Sequence, residues 1–252
     1  MAHKTLIGGT AYTIKGGKDL IAGTSYAKKQ GKALVAGTKM SIPFSAGIPL
    51  STTTPGEILM LNESGSLVPF YIAKHDYESG LNGAGRTLLV RKDCYDNRKW
   101  HSSAVNAYAS STIDSWLNST YKNLLDTDIR GVIGTTKFRY TPGNGNNTVG
   151  TLQRAIFPLS VTELGKKARY TNTEGTALEI ASSLQIVYMN GSAVNQWTRS
   201  PYKESTNYAC FLSSSGNVGS DICTRTYGSR PAFTLPGTMG VEQNADGTYS
   251  IA

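Results

Sequence analysis

Apolar residues fall in short clusters along most of the chain, and only two stretches carry helical spacing. Residues 88–90, 131–140, 152–159, 184–188, Tyr208–Leu212 and 232–235 read as strands, each a brief apolar or alternating run bounded by Gly, Asn or Ser. Ser111-Thr112-Ile113-Asp114 opens like a capping box with Asp in place of Glu or Gln. It places Ile113, Trp116, Leu117, Tyr121 and Leu124 on one helical face, with Trp116 as core filler. Residues 160–165 predict a second, short capped helix that Gly165 ends. Residues 240–252 predict a small C-terminal hairpin flap turning at Asp246-Gly247. The pattern is that of an α+β protein.

The N-terminus has a different period. Lys4, Leu6, Gly9 and Thr10 return fourteen residues later as Lys18, Leu20, Gly23 and Thr24, and again as Lys32, Leu34, Gly37 and Thr38. Each unit reads as two short strands around a Gly-Thr corner. Such units bury little apolar surface alone, so they stack on one another or on a partner. Residues 1–42 are therefore read as a docking arm. Residues 43–55, rich in Pro, Ser and Thr, are read as a linker to a domain at 56–239.

Composition sharpens this division. The chain has 252 residues, 17% of them charged, with 27 Gly and 14 Tyr, which disfavours a helical bundle, a coiled coil or a charged disordered chain. The net charge of +8 invites a nucleic-acid partner. Seven lysines against Asp19 place +6 of it in residues 1–42, however, leaving a nearly neutral body. Those lysines are either solvated spacers or a contact for phosphate or an acidic surface. Nucleic acid is disfavoured for the body.

Several chemistries lack their motifs. His3, His75 and His101 have no metal-ligand spacing, GxSxG and GxxxxGK[ST] are missing, and no Asp/Glu pair stands out for acid–base work. No metal or cofactor is expected. Cys94, Cys210 and Cys223 form no CxxC; a Cys210–Cys223 bridge would close a short loop, but buried thiols are the expected state. No run reaches the ~20 apolar residues of a membrane span, and the first residues lack a signal peptide's apolar core. Synthesis in a cytosol is expected.

The C-terminal third carries a resemblance. Gln196-Trp197-Thr198-Arg199-Ser200-Pro201 opens it and Gly228-Ser229-Arg230-Pro231-Ala232-Phe233-Thr234-Leu235 closes it, around a polar, aromatic stretch. These motifs, with the Trp116 helix and the Ser160 helix in that order, resemble the C-type-lectin fold over residues 56–239. More narrowly, they are similar to the phage and bacterial proteins that include the variable proteins of diversity-generating retroelements. The 14-residue repeat resembles N-terminal segments of structural proteins from tailed phages of Gram-positive hosts.

The resemblance implies a C-type-lectin-like domain of short antiparallel strands, two helices and long loops behind a β-repeat arm. Its core would include Trp197, Arg199, Pro201, Arg230, Pro231 and Phe233, with both arginines bonded to backbone carbonyls. Binding would fall to Tyr202, Lys203, Glu204, Asn207, Tyr208, Asn217, Asp221, Arg225 and Tyr227, whose types suit a recognition surface. The protein implied is a virion protein that docks on other virion proteins through residues 1–42. It would bind a host cell-surface protein or glycan as a homo-oligomer, with a trimer among the forms that virion symmetry allows. One rival is a cementing protein without a receptor. Another is a formylglycine-type oxidase on the same fold. Calcium-dependent sugar binding is disfavoured, because Glu-Pro-Asn, Gln-Pro-Asp and Trp-Asn-Asp are missing.

Overall fold

A computed structural model describes residues 47–167 and 170–252, together with the backbone of six strands between His3 and Ser41. The chain divides into two compact units, Met1–Ala46 and Gly47–Ala252. In the first, each repeat is one antiparallel hairpin: His3–Ile7 with Thr10–Ile14, Lys18–Ile21 with Thr24–Ala27, and Lys32–Val35 with Thr38–Ser41. The register repeats with the sequence, so Lys4, Lys18 and Lys32 lie opposite Thr13, Ala27 and Ser41. Leu6, Leu20 and Leu34 lie on first strands, and Thr10, Thr24 and Thr38 open second strands. Gly9, Gly23 and Gly37, assigned to the same arm, lie outside the described residues.

The second unit is α+β and mostly sheet. An eight-stranded sheet runs in the order Ile156–Phe157, Ala232–Pro236, Arg86–Arg91, Ser66–Lys74, Ile58–Glu63, Tyr249–Ile251, Gly240–Gln243 and Ile48–Pro49. All its pairings are antiparallel except that of Tyr249–Ile251 with Ile58–Glu63. The strand Arg86–Arg91 buries four consecutive residues, Thr87 to Val90, because both faces of the sheet are covered there. Phe70 and Phe233 meet edge to face on it at 5.4 Å. A second sheet of five strands runs Asp96–Lys99, Thr226–Ser229, Gln196–Pro201, Tyr208–Leu212 and Val218–Ile222.

Several expectations are corrected. Residues 47–55 are not a linker: Ile48–Pro49 pairs with Gly240 and Val241, Leu50 is fully buried, and the backbone N–H of Ser51 donates to Gly237. One apolar anchor outweighs the polar composition, and Pro49 is tolerated because it sits on an edge strand. The C-terminal hairpin is likewise no flap, since Tyr249–Ile251 lies inside the large sheet.

The stripe from Ile113 to Leu124 is not one helix. Thr112–Asn118 is α-helical with Ser111 as its cap, and Tyr121–Leu124 is a separate 3₁₀ turn. Asn118 breaks the run by turning its amide to the backbone of Ala155 and Ile156. Trp116 is partly buried and packs against the core. Residues 131–140 hold the end of the helix Thr127–Val132 before the strand Thr136–Tyr140, and Leu184 closes the helix Ala181–Leu184 before Val187–Met189.

Residues 160–165 form a capped turn. The Ser160 hydroxyl accepts from the Glu163 N–H while the Glu163 carboxylate accepts from the Ser160 N–H, and Gly165 ends the turn at φ +71°. The other Glu163 contacts bind this turn to the core. Its carboxylate takes a hydrogen bond from the Tyr77 hydroxyl at 2.5 Å and pairs with the Arg199 guanidinium at 2.6 Å, all three groups being buried. Nearby, the fully buried Glu174 accepts from the Thr141 N–H and the Ser200 hydroxyl. Burial raises its pKa above the ordinary 4.5, against the opposing pull of Arg199.

Two outcomes follow. Glu163→Gln leaves a buried guanidinium without its carboxylate and should cost about 3–5 kcal/mol of unfolding free energy in urea titration. Protonated Glu174 contributes stability that is complete below its unfolded value of 4.5 and is lost as pH rises through its raised folded value. Glu174→Gln should therefore gain on the wild type in urea midpoint as pH climbs from 4 to 7; a constant difference would show that Glu174 does not titrate with folding.

Candidate binding face

The two motif strands form the frame. Every residue of Gln196–Pro201 is buried. Trp197 Nε1 donates to the Arg98 carbonyl at 2.9 Å, and the Thr198 hydroxyl donates to the Cys210 carbonyl at 2.7 Å. Arg199 donates to the carbonyls of Arg139 and Pro158 besides pairing with Glu163. Arg230 donates to the carbonyls of Arg91, Lys92 and Leu184 at 2.7–2.8 Å. It has no carboxylate partner among the described residues, and burial lowers its pKa to about 10. Pro201, Pro231 and Phe233 are buried as well. Gly228 is required where it stands: a Cβ would lie 2.4 Å from Cys94 Sγ and 2.9 Å from the Asn195 carbonyl.

The nine residues assigned to the surface fall in three places rather than one. On the five-stranded sheet, the Tyr227 ring packs 4.8 Å from Trp197 and 4.7 Å from Phe211, and its hydroxyl donates to Asp221 at 2.7 Å. Arg225 approaches the same carboxylate at 3.7 Å and is otherwise exposed. Phe211 lies across Gly219 on the neighbouring strand, where a Cβ would meet the ring at 2.6 Å. Asp221, Arg225 and Tyr227 thus form a half-exposed patch of one aromatic, one acid and one base.

Tyr202, Lys203, Glu204, Asn207 and Tyr208 gather at one end of the sheet. The Tyr202 hydroxyl donates to Glu204 at 2.9 Å and its ring stands 6.0 Å from Tyr170. The Lys203 carbonyl accepts from the Asn147 amide, and Tyr208 is 38% exposed. Asn207 accepts from the Ser205 hydroxyl. Asn217 sits on the turn beyond Leu212, bonded to Ser213 and Ser215. At ~3.4 Å per residue, the four steps from Tyr208 to Leu212 put it roughly 14 Å away. A single small ligand does not span all three.

Sequence reading misses the residue that shapes the second cluster. Asn106 is fully buried and its amide nitrogen donates to the carbonyls of Tyr202, Ser205 and Tyr208, while its Oδ1 accepts from the Asn144 N–H. Nothing in its neighbourhood, Val105-Asn106-Ala107, distinguishes it from a loop asparagine.

No group of three or more His, Cys, Asp or Glu side chains among the described residues is placed to hold a metal. Cys94, Cys210 and Cys223 are free and buried, and burial pushes each thiol up to about 12. His101 Nδ1 faces the Thr112 and Ser102 hydroxyls at 3.3 Å, and His75 bridges the Thr87 hydroxyl and the Thr53 carbonyl. No helix of the described residues is long and apolar enough to cross a membrane.

Neither the curated proteins nor the solved structures contain a match to the chain. A family model does match, over residues 84–237, a span that covers more than half of the sequence and includes both motif strands, Asn106 and all nine surface residues. The chain belongs to the family described as a domain of unknown function, DUF6273.

Proposed function

We propose that this protein is a virion surface protein of a tailed phage, anchored by its N-terminal repeats and displaying a C-type-lectin-like domain that binds a host surface protein or glycan. The observation that carries the reading is the division of labour within residues 196–235. The frame is buried and bonded to main-chain carbonyls, while Tyr, Asn, Ser and charged side chains between its two strands face outward. Tyrosine gives contact area at low entropy cost and Ser/Asn give adaptable hydrogen bonds. The two sheets, the helix Thr112–Asn118 and the capped turn at 160–165 are compatible with a lectin-like arrangement. The regular hairpins of the basic arm suit docking on other virion proteins, and repeated display would let weak single contacts hold a cell. A homo-oligomer is the expected form.

A cementing role without a receptor is favoured by one feature. Ile186 and Tyr188 are 42% and 48% exposed, and Gly216 of the 213–217 turn packs beside Ile186, making an apolar spot suited to a neighbouring subunit. The two readings separate in particles carrying variants. Tyr202→Ala with Tyr208→Ala should leave assembly intact and lower adsorption to host cells about tenfold or more. Unchanged adsorption, with Ile186→Ser and Tyr188→Ser loosening the particle, would favour cementing instead. Deleting residues 1–46 should leave a folded body that is missing from purified particles.

The oxidase alternative needs a reactive thiol. With pKa values near 12, Cys210 and Cys223 should resist iodoacetamide at pH 8 in the native chain and react once urea unfolds it. Rapid native alkylation of either, read by mass spectrometry, would revive that alternative.

A further inference from the structure

A cleft of about 310 Å³ opens between the outer strand Asp96–Lys99 and the helix Thr112–Asn118, lined chiefly by Asn97, Arg98, Lys99, Thr112, Trp116 and Thr226. Its charge sets it apart. Two cations line it and no acid does, whereas a cleft of about 240 Å³ carries Asp126 and Asp128 without a cation. A third, of about 310 Å³, mixes Lys74 and Arg139 with Asp76 and Glu78.

The cationic cleft is built rather than incidental. The Arg98 guanidinium lies 3.4 Å from the centre of the Trp116 ring, and Asp96 Oδ2 fixes it from the side at 2.7 Å. Trp116 is backed in turn by Tyr95 at 5.5 Å and Tyr121 at 5.6 Å, which brace the platform under the arginine. Yet the guanidinium is only partly satisfied: Nε is buried without a hydrogen-bond partner, and so is Asp96 Oδ1. Lys99 is exposed and has no carboxylate within 4 Å among the described residues. Around these two charges stand the exposed Thr226 and Thr112 hydroxyls and the Asn97 amide.

A guanidinium held in place and an exposed ammonium that line one cleft suit a planar or tetrahedral oxyanion, and the surrounding hydroxyls and amide suit a polyhydroxylated ring. The volume lies at the small end of ligand pockets, enough for one sugar unit and not for an extended chain. We infer that the cleft binds a single acidic sugar unit, its carboxylate or phosphate seated against Arg98 and Lys99. This deepens the host-surface reading and rests on it, assigning one contact of that binding to an anionic glycan and to residues outside the 202–227 stretch.

The test titrates the full chain with glucuronic acid, glucose 6-phosphate, glucose and inorganic phosphate at low salt, following Trp fluorescence and calorimetric heat. Saturable binding of at least one acidic sugar is expected, at least tenfold tighter than glucose. Lys99→Gln, at an exposed position that cannot disturb the core, should weaken it several-fold. Arg98→Lys keeps the charge, loses the guanidinium held between Trp116 and Asp96 and should weaken it tenfold or more. Equal binding of glucose, equal binding of inorganic phosphate, or no response to either substitution overturns the inference.

Adsorption to host cells separates it from its premise. Cells that still bind the chain when no acidic sugar does refute the cleft and keep the host-surface reading. Acidic-sugar binding in a chain that adsorbs to no host cell keeps the cleft and refutes that reading.

Discussion

The buried pair of Arg199 and Glu163 is the constraint around which the second unit is arranged. Two charges leave water, and their mutual attraction alone does not compensate for that loss. Compensation comes from the neighbours. Arg199 also bonds the carbonyls of Arg139 and Pro158, and Glu163 also accepts from Tyr77 and from the N–H of Ser160. Satisfying one pair therefore brings together the strand Gln196–Pro201, the hairpin strand Thr136–Tyr140, the turn at 160–165 and the segment carrying Tyr77. An apolar pair of equal volume would fill the space without requiring those particular backbones to meet. The arginine also lies 4.6 Å from the Phe138 ring, so its aliphatic and planar surfaces are packed as well as its donors.

Arg230 and Asn106 follow the same logic with no opposite charge. Each gathers carbonyls from segments distant in sequence: Arg230 from Arg91, Lys92 and Leu184, Asn106 from Tyr202, Ser205 and Tyr208. A main-chain carbonyl is present whatever the side chain, so these anchors hold the path of a loop without fixing its composition. The frame and the displayed side chains are in this sense energetically separable.

Much of the frame is legible in the sequence, and the reasons are local. Trp197, Phe233 and the prolines beside two arginines mark buried strands because nothing else in the chain concentrates bulk and rigidity so closely. The capped turn at 160–165 is legible because Ser160, Glu163 and Gly165 each have one geometric use there. The hairpin of Ile58–Glu63 and Ser66–Lys74 is not legible in the sequence although its first strand alternates cleanly in burial. Pro69 argues against a central strand, but it lies just past Phe70, the last residue in register with Arg91, so its missing N–H falls where the neighbouring strand has ended. The turn there, Ser64-Gly65 with φ of 53° and 84°, is a signal that a serine makes easy to overlook. The candidate site is legible only by residue type. That Asp221 and Tyr227 meet while Asn217 stands apart depends on the register of two strands, and the Arg98–Trp116 stack joins segments that no short motif links.

The order of strands in the large sheet sets when the body can form. Ile48–Pro49 pairs with Gly240 and Val241, and Ile58–Glu63 pairs with Tyr249–Ile251, so the earliest strands of this unit wait for the latest. At ~5–20 residues per second of synthesis, that wait is on the order of ten to forty seconds. The hairpins of the first unit need no such partner, since each pairs within fourteen residues of its own start. The two units therefore mature on separate clocks. During translation, both strands of every repeat are available well before the strands that close the large sheet.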